Sequence, residues 1–239
     1  MKIPTLYGII DRRILINYIA DPVVVQKLLP YHFRPKLQNG KAIVGICLIR
    51  LKNIRPKGLP QFIGVNSENA AHRFAVEWDE NGKTKEGVYI PRRDTSSFIK
   101  VLAGGRVFPG KHYKAKFNVS EASGHYAISY TANDATFMNI EASEVHEFNP
   151  NSVFSDIETA SAFFKNGSIG FTPCNSGLDS VILYTYNWEI KPLEVTKVES
   201  SYFNDTNLFP NGSIQFDNAL LMQNIEHEWR SALKPMFNE

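Results

Sequence analysis

The sequence predicts a mainly β chain of the α+β class, in which many strands close into an antiparallel barrel or cone and a few short helices interrupt them. Three observations carry that reading. Most of the 239 residues alternate apolar with polar at period two, or form short runs rich in Val, Ile, Tyr and Phe. Asn, Gly and Pro punctuate these runs at short intervals. No internal repeat, low-complexity tract or long linker breaks the chain, so a single domain over 1–239 is expected. Many short strands with few helices favour closure, because a closed sheet leaves no edge open for pairing with another chain.

In chain order, strands are expected over Leu6 to Tyr18, Ala42 to Leu51, His72 to Trp78, Gly87 to Arg92, Lys111 to Val119, His125 to Thr131, Phe137 to Glu144, Val181 to Ile190 and Val195 to Tyr202. Asp79-Glu80-Asn81-Gly82-Lys83 reads as a hairpin, with Asn-Gly supplying the positive φ of a tight turn. Helices are expected in DPVVVQKLLP, with Asp21 as cap and Pro22 in the first turn, and in SDIETASAFF, capped by Ser155 or Asp156 and stopped by Gly167. A third helix is expected where Asp94-Thr95-Ser96-Ser97 precedes FIKVLAGG. In Ala219 to Trp229, Leu221, Met222, Ile225 and Trp229 fit a helical face and alternation fits almost as well; it is assigned as strand.

Bulk properties exclude several function classes. The formal net charge is +2 with Lys and Arg scattered among Asp and Glu, so the basic stripe of a nucleic-acid binder is missing. Cys47 and Cys174 have no CxxC spacing, which argues against a disulfide framework or a structural zinc, and Cys47 in AIVGICLI reads as a small core residue. His32, His112, His125, His146 and His227 are not spaced as a ligand set, and no HExxH or GxSxG motif occurs, so no metal or other cofactor is expected. The N-terminus lacks an uninterrupted apolar run and no run of ~18 apolar residues occurs, so a cytoplasmic chain with no membrane span is expected.

Three segments, ADPVVVQKLLPYHF, GVYIPRRDTSSF and GGRVFPGKHYKAKFNV, resemble in their order the acetoacetate decarboxylase-like superfamily, and within it the YqjF-like branch, over roughly residues 6 to 145. The resemblance implies a cone-shaped barrel around a pocket for a small carboxylate or carbonyl compound, and homo-oligomers. In acetoacetate decarboxylase an aromatic residue and a proline precede two lysines, the first of which forms a Schiff base with the β-keto acid while the second keeps it deprotonated. Matching Phe108-Pro109 places Gly110 at the nucleophile and Lys111 at its neighbour. The family's nucleophile is therefore absent. Its second pocket glutamate is absent too, since Gly45 or Ile46 falls at that place.

The candidate site residues each carry two readings. Lys111 shares parity with Tyr113, Ala115 and Phe117, so it points to the apolar side, where it is either a desolvated replacement nucleophile or a snorkelling or paired cation. Glu68 and His72 share parity with Phe74 and Trp78 and make an inward acid and base pair if the strand begins early, or belong to a solvated loop if it does not. Glu68 is also the nearest match to a functional glutamate of the family. Arg92 and Arg93 next to Asp94 make either an anion site or a cap with an ion pair, and Arg106 has the same ambiguity. The resemblance adds Arg12, matched to a functional arginine of the first strand with a one-residue gap.

Three functions stay open. The first is a barrel that binds a small carboxylate or carbonyl compound, with lyase or hydrolase chemistry by Glu68, His72 and the arginines without a Schiff base as its enzymatic form. The second is a module that binds or senses a small ligand without turnover, and the third is a purely structural or protein-interaction role.

Overall fold

The computed structural model describes residues 4–97, 110–174 and 177–232. Thirteen strands form one mixed sheet. Its centre is five long strands, β1 (Leu6–Ala20), β4 (Lys41–Pro56), β5 (Val65–Glu80), β6 (Lys83–Thr95) and β13 (Ile214–Ser231), in the antiparallel order β13-β1-β4-β5-β6. The two-residue strands β2 (Arg34–Pro35) and β3 (Leu37–Gln38) pair with β5 and β4.

Two smaller groups lead from β6 back to β13. In the first, β7 (His112–Ala122), β8 (His125–Ala132), β9 (Phe137–Glu144) and β12 (Lys191–Ser200) run from a parallel pairing of Arg93 with His112 to an antiparallel pairing of Leu193 with Ala219. In the second, β10 (Ile169–Cys174) and β11 (Gly177–Thr185) run from Gly170 beside Val88 to Val181 beside Ser231. Each group completes a circuit with the central strands, which gives the cone- or barrel-like sheet that the sequence predicts.

Because both circuits share the central strands, those strands are buried on both faces. One face packs Ile14, Ile16, Phe74 and Trp78 against Ile128, Tyr130 and Ile140. The other packs Leu15, Cys47, Ile90 and Met222 against Phe154, Phe163 and Phe164 of the segment around the helix α2 (Ile157–Asn166). We call these the first and second faces. Parity along each strand decides which face a side chain meets, and that rule sorts every charged residue discussed below.

The hairpin at Asn81 and Gly82, both at positive φ, joins β5 to β6 as expected. So do the helix caps: Asp21 accepts from the Val23 amide at 2.7 Å at the start of α1 (Pro22–Leu28), and Asp156 from the Thr159 amide at 2.6 Å. The segment 219–229 is strand, within β13.

Two expectations are corrected and one strand is added. Asp94 and Thr95 are the last residues of β6 and not a helix start, because both are buried and bonded inside the sheet, to Arg92 and Asn69; the remainder of that expected helix, with Arg106, lies outside the described residues. Strand β10, which includes Gly170 and Pro173, is not among the strands expected from the sequence. Strand β11 ends at Thr185, since Trp188 turns away to donate its indole N–H to Ser161 of α2 at 2.9 Å.

Candidate functional site

Of the sequence-predicted site residues, most meet on the first face, where each charge has an opposite one. Arg12, 1% exposed, donates to Glu68 at 2.6 Å and to Glu121. Arg50 bridges the same two carboxylates at 2.5 and 2.9 Å. Glu68 lies within β5, so it is a strand residue. Further along, Arg92 grips Asp94 at 2.7 Å and Asp134 at 2.7 Å. Burial raises the Asp94 carboxyl even though Arg92 pulls it down.

His72 sits on the same face and is fully buried, with its ring against Tyr202 at 4.2 Å between centroids. Its Nδ1 is 4.0 Å from Asp94, and neither ring nitrogen has a hydrogen-bond partner. Burial, with the Arg92 charge acting in the same sense, depresses its pKa to about 3, so it is neutral at pH 7. It lies four residues from Glu68 on one strand face, but each group has its own surroundings: Glu68 the two arginines, His72 an aromatic packing. Lys111 is exposed just before β7, with its ammonium 4.8 Å from the centre of the Tyr113 ring.

The second face carries a different arrangement. A cavity of about 90 Å³ lies between the central strands and β10–β11, walled by Ile10, Ile49, Val88, Ile90, Val181 and Trp229. Arg13, Arg73, Arg93 and Cys47 open into it. Among the described residues no carboxylate comes within ion-pair distance of any of the three arginines. Their contacts are neutral. Arg13 lies between the Met222 and Cys47 sulfurs, at 3.9 and 3.7 Å. Arg73, 3% exposed, rests over the Phe164 ring at 4.8 Å and donates to Asn17, leaving its Nε buried without a partner. Arg93 donates to Thr172 at 3.1 Å.

The local sequence explains how these groups converge. Register sets Gly45 between Asn17 and Arg73 on adjacent strands. A Cβ at Gly45 would come within 2.2 Å of the Ile16 carbonyl, and its absence leaves the second face open for the Arg73 guanidinium to cross to Asn17. Asn17 then donates to Asn218 at 2.7 Å, and Asn218 to Asp217 at 2.5 Å. The Asn17 amide therefore holds Arg73 without neutralising it, and Asn218 fixes Asn17 in turn.

Electrostatics follow from that geometry. Burial pulls the Arg73 pKa down, with Cys47 opposing and the Arg13 charge acting in the same sense as burial. Burial pulls Arg93 down to about 10 against the opposing pull of Cys47 and Asp179, so Arg93 stays protonated at pH 7. Burial pushes the Cys47 thiol up, but the charges of Arg73 and Arg13 outweigh it and hold the thiol below its ordinary value. Buried guanidinium groups without a counter-ion are costly, by several kcal/mol when a partner is missing (~3–5). A larger cleft of about 600 Å³ past Val145 and Leu193 holds no lysine or arginine.

Gly110, which the sequence resemblance matches to the decarboxylase lysine, adjoins this second face. Its φ is +69°, and a Cβ there would meet Thr172 Cγ2 at 2.0 Å. Thr172 is the residue that accepts from Arg93, and the Gly110 amide donates to Asp179 at 2.9 Å. A side chain at 110 is thus excluded by both backbone and neighbour. Sequence reasoning found Arg93 but missed Arg13, Arg73 and Cys47. The available signal was the stretch AAHRFAV in β5, apolar on both parities, which implies burial on two faces and so a buried Arg73.

Residues 10–219 match the family DUF2071, described as an uncharacterized conserved protein. No curated protein matches the chain. Among solved structures, acetoacetate decarboxylase from Legionella pneumophila superposes with a TM-score of 0.62 at 13% identity, covering 99% of this chain and 90% of that one. An acetoacetate decarboxylase-like enzyme from Sphingomonas wittichii RW1 gives 0.62 at 10% identity, with 95% and 91% covered. The enduracididine biosynthesis enzyme MppR complexed with pyruvate gives 0.60 at 8% identity, with 95% and 88% covered. These likenesses bear out the acetoacetate decarboxylase-like fold.

Proposed function

The chain belongs to the DUF2071 family, and from that premise we propose that its second-face cavity binds a small carboxylate bearing a carbonyl group, held by Arg13, Arg73 and Arg93. The observation that carries this is the convergence of three guanidinium groups with no carboxylate partner among the described residues on one apolar cavity. An anion offsets their desolvation, and a guanidinium fork matches a carboxylate in shape. A volume of about 90 Å³ suits a compound of few heavy atoms. The pyruvate named for MppR belongs to this chemical class.

Decarboxylation through a lysine Schiff base at 110 is not part of this reading, since Gly110 has no amine and no room for one. The first-face residues Arg12, Glu68, Arg92 and Asp94 act as structural ion pairs. His72 is a packed neutral ring beside them.

The test is a thermal-shift panel with pyruvate, acetate and the uncharged analogue pyruvamide. A ligand at a hundred times its Kd stabilises by about 2.7 kcal/mol, so pyruvate raises Tm by several degrees, pyruvamide does not, and Arg73→Met removes the shift. Equal shifts with the neutral analogue, or an unchanged shift in Arg73→Met, would contradict the assignment.

A further inference from the structure

Cys47 lines the same cavity and has no role in holding an anion. It is 3% exposed, on the second face of β4, with its sulfur 3.7 Å from Arg13 Nη2. Arg73, whose Nε is buried without a hydrogen-bond partner, lines the same space. Cys47 packs with the second-face core and also borders guanidinium groups and an open volume. We propose that Cys47 is a nucleophile that adds reversibly to the carbonyl carbon of a 2-oxo acid whose carboxylate the arginines hold; this rests on the anion reading above.

The step balances without a co-reactant. The sulfur lone pair attacks the carbonyl carbon and a C–S bond forms. The C=O π pair moves to oxygen, and the proton that leaves the thiol ends on that oxygen, giving a hemithioketal. No atom changes its redox partner and no group departs. The neighbouring guanidinium charges favour the thiolate, which is the reacting form, and stabilise negative charge developing on the oxygen. Both parts of the ligand are served within one small volume: carboxylate by arginine, carbonyl by sulfur. The geometry thereby offers a covalent route at a position other than the family's lysine, from a strand on which the sequence carries no acid.

The experiment uses the full chain with [2-13C]pyruvate, followed by 13C NMR, alongside calorimetric titration of the same samples. In the wild type the carbonyl resonance is expected to move to the tetrahedral region with a C–S shift distinct from that of free pyruvate hydrate. In Cys47→Ala that signal disappears while calorimetric affinity stays within about tenfold of the wild type. Parallel labelling with iodoacetate and the neutral iodoacetamide gives a second readout: Cys47 prefers the anion, Cys174 does not, and Arg73→Met abolishes the preference. Binding by calorimetry with no tetrahedral signal would overturn the nucleophile and leave the anion site standing. Absence of binding in the wild type would overturn both. Retention of the signal in Cys47→Ala would move the adduct elsewhere and overturn the role of Cys47.

Discussion

On the first face of the central strands each arginine meets carboxylates, and on the second face three arginines meet none among the described residues. Arg12 and Arg13 are neighbours in sequence, as are Arg92 and Arg93, and in each pair the pleat sends one to each face. The same residue type therefore serves two ends. A guanidinium beside two carboxylates is part of the scaffold. A guanidinium between two sulfurs, or between an aromatic ring and an amide, still has charge to offer. Charge compensation, more than burial, separates the two sets of arginines.

The contrast can be broken or sharpened by substitution, beginning with the largest effect. Arg12→Met leaves Glu68 and Glu121 to share Arg50 and is expected to lower unfolding free energy by about 3 kcal/mol, measured by urea denaturation, with no loss of pyruvate binding. Gly110→Lys supplies an amine at the residue that the sequence resemblance matches to the decarboxylase lysine, but drives a Cβ into Thr172 at a positive φ. It is expected to cost about 2 kcal/mol and to give no borohydride-trapped adduct with β-keto acids.

His72 sharpens the picture of the first face through pH. Its folded pKa of about 3 lies below the unfolded value, so between those two values the unfolded chain binds the extra proton. Stability is then fully present above about pH 6.5 and falls as pH drops toward 3, by at most about 1.4 kcal/mol per unit for this one group. The groups facing the ring are Asp94, Arg92 and Tyr202. Melting curves between pH 7 and 4.5 should show a shallower acid limb in His72→Phe than in the wild type. The smallest effect belongs to Lys111→Ala: an exposed ammonium over Tyr113 contributes about 0.5 kcal/mol or less, and stability and ligand affinity should both stay near wild type.

Much of the fold was legible in the sequence because alternation and turn residues report directly on strands. The Asn81-Gly82 hairpin and the caps at Asp21 and Asp156 were found for that reason. The Asp94 segment was misread since its polar side chains resemble a helix cap, while the sheet buries them against Arg92 and Asn69. Parity correctly turned Glu68 and His72 toward one apolar face with Phe74 and Trp78. Parity alone does not show that β10 and β11 cover the opposite face, and Gly170 and Pro173 weaken the strand pattern of β10. The burial of Arg73 follows only once that cover is in place. Gly45 is readable only once register is known, as the gap between Asn17 and Arg73.

The central claim is that uncompensated charge on the second face is there to hold an anion. The most direct measurement is calorimetric titration of pyruvate at pH 7 into the wild type, Arg73→Met and Glu68→Gln. The account predicts that Glu68→Gln binds like the wild type and that Arg73→Met, with its folded structure intact by circular dichroism, binds at least tenfold more weakly. Loss of binding in Glu68→Gln with full affinity in Arg73→Met would place the ligand on the first face and contradict it.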